Sequence, residues 1–183
     1  MPALALPRLS LAEWVVLCLV CEAPSHGFAL VRVLAVDGEL GQVWRVPKPV
    51  IYRALQRLEM ESLVVTVDIQ PSHAGPDRTL VEATSAGRKA ARAWLARPAS
   101  HNRDIRSELL IKLALLDRAG EDPGLLLAAQ REQLLPVSEA LHQRLASATG
   151  FERTIVLWRS ETVAATLRFL DALSDRTANA QGR

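Results

Sequence analysis

This chain is poor in aromatic residues, lysine and cysteine. Aromatics make up 4% of its 183 residues, and tyrosine occurs once, at position 52. Lysine occurs only at 48, 89 and 112, so nearly all positive charge is arginine. The two cysteines exclude a disulfide framework. Cys18 and Cys21 form a C-x-x-C inside the apolar run "EWVVLCLVCE", with no second pair elsewhere. The histidines at 26, 73, 101 and 142 are scattered, so a zinc site lacks two ligands. Buried structural thiols in a reducing compartment are expected, with no metal and no cofactor. There is no glycine-rich phosphate loop, H-E-x-x-H or G-x-S-x-G, and the carboxylates spread over helix faces, so no enzymatic activity is expected. The N-terminus "MPALALPRLS" lacks a charged start and a long apolar core, and no apolar stretch is long enough to span a bilayer. A soluble, cytoplasmic protein without a membrane partner is expected. Net charge is only +2, so any nucleic-acid binding needs a local basic patch.

What is present is a large apolar fraction, 49%, enough for a sizeable core. Ser10 and Glu13 have the spacing of a capping box ahead of the apolar residues Leu11, Trp14, Val15, Leu17, Cys18 and Leu19. Pro24 ends that helix. "SHGFALVRVLAVDG" reads as a second helix closed by Gly38, and "GQVWRV" as a short strand carrying Trp44. In "VPKPVIYRALQRLEMESLV", Pro49 suits a helical first turn, and Val50, Ile51, Ala54, Leu55 and Leu58 share one face. "LVVTVDIQ", "PSHAGPD" and "RTLVEA" read as strand, turn and strand. "TSAGRKAARAWLA" restores helix behind a Thr84 or Ser85 cap. The order helix, helix, short strand, helix, hairpin, helix is that of a winged helix-turn-helix. From Pro98 to Asn102 a short polar segment marks a boundary. Helices follow: "DIRSELLIKLALLDRAG", a long one that Pro136 should kink or break, and "FERTIVLWRSETVAATLRFLDAL".

In that fold the third helix enters the DNA major groove. Lys48, Tyr52, Arg53, Gln56 and Arg57 fall on the face opposite its apolar stripe. Arginine can chelate guanine or phosphate, and a phenol can donate to phosphate or pack on a base.

The strings "LCLVCEAPSHGFALVRVL", "PVIYRALQRLEMESLV" and "TSAGRKAARAWL" resemble the PadR family of bacterial transcriptional regulators. Its members show a leucine-rich first helix ending in a P-x-H-G-Y-like turn, a V-Y-x-x-L-x-R-L-E-x-x-G-L-V helix and a T-x-x-G helix start. The resemblance covers residues 9 to 97, and "RSELLIKLALL" with the helices after it is similar to the C-terminal domain of the longer, virulence-activator-like members. It implies that Tyr52, Arg53, Gln56 and Arg57 read DNA. Three positions depart from the pattern. Val50 stands where Ser or Thr is frequent, and Ser62 replaces a usual Gly. The wing "GPDRTLVEA" keeps only Arg78 as a cation and carries Glu82, which implies weaker wing contacts.

The expected fold is thus mostly α: a winged helix-turn-helix DNA-binding domain at 9–97, an all-α dimerisation domain at 103–174 and a flexible tail at 175–183. Ile155, Trp158, Phe169 and Leu173 form an apolar stripe suited to a homodimer on a palindromic operator. Trp14, Trp94 and Trp158 are the candidates for an effector pocket, since the resemblance implies a small aromatic effector. A dimeric repressor binding double-stranded DNA is the expected function. The rival is a winged-helix protein-protein interaction module without specific DNA binding.

Overall fold

The structure is a computed structural model that describes residues 6–70 and 78–181. It divides into two compact units, Met1–Leu95 with Arg106–Gly120, and Ala96–Ile105 with Glu121–Arg183.

The first unit opens with α1 (Leu11–Glu22), started by the expected capping box. Ser10 Oγ accepts the Glu13 N–H at 3.4 Å, and Glu13 Oε2 accepts the Ser10 N–H at 2.6 Å. Trp14 to Val20 are buried without interruption, so α1 is the central helix of this unit. A two-residue strand, β1 (Ser25–His26), follows and leads directly into α2 (Gly27–Val33). α2 is shorter than expected and ends at a Leu34 cap, before Gly38. The strand expected at "GQVWRV" is absent; residues 34–43 form successive turns. Backbone packing explains this. The Leu40 N–H donates to Val33 O and the Val46 N–H to Leu34 O, so the segment folds back onto the end of α2. A Cβ on Gly41 would fall 1.6 Å from the Ala35 carbonyl oxygen, which leaves no room for any side chain.

α3 (Lys48–Met60) has Pro49 in its first turn, as expected, and inserts Ile51, Ala54 and Leu58 into the core. The strands β2 (Val64–Gln70) and β3 (Arg78–Ala83) form the antiparallel hairpin, whose loop at 71–77 lies outside the described residues. β1 pairs with β3, giving a three-stranded sheet of order β1-β3-β2. α4 (Ser85–Leu95) is capped by Thr84, whose Oγ1 accepts the Gly87 N–H at 3.0 Å. The winged helix-turn-helix is therefore present, with its third strand at Ser25–His26 rather than at "GQVWRV".

A π-helical turn (Ile105–Leu109) runs into α5 (Leu110–Ala119). This corrects the expected boundary: α5 was assigned to a C-terminal domain, but Ile111 and Leu115 join the core of the first unit, against α1. The Arg118 guanidinium binds both Glu22 carboxylate oxygens, at 3.2 and 2.9 Å, and also pairs with Glu39. One side chain thus ties α5 to the end of α1 and to the loop ahead of α3.

The second unit is a helical hairpin of α6 (Gly124–Ser147) and α7 (Gly150–Gln181). Pro136 was expected to kink or break α6, yet the helix continues through it. Pro136 lies on the exposed side, while Leu126, Leu127, Gln130 and Leu134 are buried and hold the helix before it. Arg131 pairs with Asp171 at 2.8 Å, and Arg144 with Glu152 at 2.6 Å near the turn. The buried Gln130 amide binds both the N–H and the carbonyl of Ala99, at 2.7 and 3.3 Å, and so fixes the incoming segment. The tail expected to be flexible from 175 is helical to Gln181.

Candidate nucleic-acid interface

α3 is amphipathic in the sense DNA reading requires. Ile51 and Leu58 are 0% exposed and anchor it, whereas Lys48, Tyr52, Arg53, Gln56 and Arg57 are all exposed. The five residues picked from the sequence thus share one solvent face. They are not equivalent. Arg57 pairs with Glu61 one turn on, at 2.6 Å, a spacing legible in the sequence. Among the described residues no ion pair engages Arg53. The Lys48 ammonium lies 5.9 Å from the Tyr52 ring centroid. Tyr52 is 41% exposed, and its ring edge faces the backbone of Gly27 at the start of α2. Sequence reasoning missed Gly27, because nothing in local periodicity links it to α3.

The end of α3 is equally well defined. Ser62 has φ 56°, in the left-handed region. Its N–H donates to Glu59 O, and the Leu63 N–H donates to Leu58 O, at 2.9 Å each. This is a Schellman cap with serine where glycine is unstrained.

On the wing, Arg78 is exposed at the start of β3. Glu82, the expected source of repulsion, pairs with Arg88 of α4 at 2.8 Å, so its charge is balanced within the unit. Val65, Val67 and Ile69 of β2 are exposed, so this part of the wing is apolar.

The expected effector pocket of Trp14, Trp94 and Trp158 is not formed by the first two. Trp14 and Trp94 are buried and stack on each other, with centroids 5.4 Å apart and planes within 3°. The Lys112 ammonium, itself fully buried and paired with Glu108 at 2.6 Å, lies 4.5 Å from the Trp94 centroid. No flat ligand can enter between rings already in contact. Trp158 is 73% exposed on α7. Cys18 is buried, and burial pushes the Cys21 thiol up to about 11, so both behave as packing groups rather than nucleophiles.

Fold and site together define a winged helix-turn-helix of the DNA-binding type. Residues 16–93 match the transcriptional regulator PadR-like family. No curated protein matches the chain. Among solved structures it is similar to Bacillus subtilis PadR in complex with operator DNA, at 17% identity, covering 92% of this chain and 99% of that one, with a TM-score of 0.47. It is also similar to smu.1604c from Streptococcus mutans UA159, at 15% identity, 87% and 96% coverage and a TM-score of 0.42. Bacillus subtilis PadR in complex with p-coumaric acid gives 15% identity, 95% and 99% coverage and a TM-score of 0.42. None of the described helices is long and apolar enough to cross a membrane.

Proposed function

We propose that the chain is a dimeric, sequence-specific transcriptional repressor that occupies a palindromic operator and blocks it sterically. The observation that carries this reading is the division of α3 into a buried apolar face and an exposed face of Lys48, Tyr52, Arg53, Gln56 and Arg57. A helix whose cations merely solvate a surface needs neither the preceding two helices nor the hairpin beside it. Wing contacts come from Arg78 and are fewer than in a basic wing, so α3 carries most of the base reading.

Dimerisation is supported by α7. Val156, Val163 and Leu170 are its buried face, and Ile155, Trp158 and Phe169 remain exposed on another. A second copy covering that stripe removes the remaining exposed apolar surface of these side chains from water, most of it from Trp158. Leu173 is only half-buried, at the far end of the same stripe. The reading includes a small aromatic effector, whose seat lies elsewhere than between Trp14 and Trp94.

The test is a gel shift on the DNA flanking the chain's own gene, over a range of salt. Arg53→Ala and Arg57→Ala separate two roles. An arginine on phosphate lowers the salt slope by about one when removed, whereas one on guanine costs roughly 1–3 kcal/mol and relaxes one base pair. Arg144→Ala, whose partner is Glu152, is the control and leaves DNA affinity unchanged. Binding by both α3 variants as tight as wild type across salt refutes the DNA-reading helix. The protein-interaction module then leads, favoured by the exposed apolar residues Val65, Val67 and Ile69 of the wing.

A further inference from the structure

We propose that Gly27 is a positioning residue for Tyr52. Its missing side chain is the seat that aims the phenol at DNA. A Cβ at Gly27 would lie 2.7 Å from Tyr52 Cε1, 2.9 Å from Cζ and 3.2 Å from the hydroxyl oxygen. Packed carbons keep about 3.5–4.0 Å apart, so a methyl group there overlaps the outer edge of the ring. Conformation does not explain the glycine. Among the described residues the glycines with positive φ are Gly120 and Gly150, and Gly27 is not one of them. Alanine would fit the backbone of this helix start and is the better helix former. Space is what the position requires, and the three nearest atoms that a Cβ there would meet all belong to Tyr52.

The seat has consequences for how the phenol is held. Tyr52 projects from the exposed face of α3 and would otherwise sample several rotamers, whose loss on binding costs affinity. Contact with the start of α2 removes part of that freedom before DNA arrives. The seat is also tied to the wing. Gly27 directly follows β1, where Ser25 and His26 pair with Val81 and Leu80 of β3. The His26 Nδ1 accepts the Ala29 N–H at 3.1 Å and fixes the first turn of α2 around Gly27. The wing strand, the start of α2 and the Tyr52 phenol are therefore joined through consecutive residues, and a shift of the hairpin moves the seat.

This inference rests on the DNA-reading function of α3, and the experiment separates the two. Tyr52 is the only tyrosine in the chain, so meta-fluorotyrosine labelling gives one fluorine NMR signal from this site. In the free protein, Gly27→Ala should move that signal, because the ring must leave the seat. On operator DNA, Gly27→Ala should weaken binding about tenfold, the scale of one charge-assisted hydrogen bond. In a Tyr52→Ala background the same substitution should cost nothing further. Should Gly27→Ala lower stability, the Gly27→Ala/Tyr52→Ala double variant should recover it, since the colliding ring is gone. An unmoved fluorine signal overturns the seat. So does an equal loss of DNA affinity in the Tyr52→Ala background, or, where Gly27→Ala lowers stability, a double variant that does not recover it. If the wild-type protein binds no operator DNA, the DNA reading fails and the functional half of the proposal with it. The fluorine signal still decides the seat.

Discussion

Single residues in this chain carry signatures that their neighbours in sequence do not explain. Ser62 occupies a left-handed cap, a conformation that costs a non-glycine residue about 1–2 kcal/mol, part of which glycine gives back through its freer unfolded chain. Ser62→Gly should therefore stabilise the protein by about 0.5–1 kcal/mol, read from denaturant midpoints at unchanged slope. Cys21 is the second case. Its thiol pKa rises from 9.0 to about 11, with burial the main cause, opposed by Arg88 and Arg92. At pH 8 its thiolate population should be about a hundredfold below that of the unfolded chain, and alkylation by iodoacetamide should slow in proportion. The sign for stability follows from the raised folded pKa. The contribution is complete below the unfolded value and is lost as pH rises through the folded one, so Cys21→Ser should flatten the alkaline limb between about pH 9 and 11.

At the scale of elements, the joint between the hairpin and α4 depends on one hydroxyl. Thr84 Oγ1 caps α4 through the Gly87 N–H and also donates toward the Ser62 and Leu63 carbonyls, at 2.9 and 3.2 Å. It thus links the end of α3, the start of β2 and the start of α4. Thr84→Val keeps the shape and removes these bonds; it should cost about 1–2 kcal/mol by chemical denaturation. Thr84→Ser should recover most of that loss, which separates the hydroxyl from the methyl group.

The whole molecule is organised as two units, with α5 the element that returns to the first after the chain has entered the second. Dimerisation belongs to this scale. Trp158→Glu and Phe169→Glu place charge on the exposed stripe of α7 while leaving Val156, Val163 and Leu170 in place. Sedimentation should then show monomer with unchanged helical circular dichroism. Operator binding should weaken, because two half-sites are no longer held by one particle. A variant that sediments as wild type removes this stripe from the interface.

What the sequence determined by itself was local. The Ser10–Glu13 box, the Pro49 helix start, the amphipathic face of α3 and the extended strands of the hairpin are each written within a few residues, and each formed where expected. So did the exposure of Lys48, Tyr52, Arg53, Gln56 and Arg57, which needs only the period of a helix. Tertiary structure decided everything that joins distant segments. β1 is two residues long, too short for any alternation to show, and exists only because β3 offers it a partner. "GQVWRV" has the composition of a strand but found no edge to pair with, and its buried Val46 closes a turn instead. α5 reads as any amphipathic helix, and only its fit against α1 assigns it to the first unit. Trp14 and Trp94 carry no mark of each other in the sequence; stacking turns two candidate ligand platforms into core. Gly27 and Tyr52 are the same case at the interface itself. A missing methyl group has meaning only once the fold brings a ring to the space it leaves.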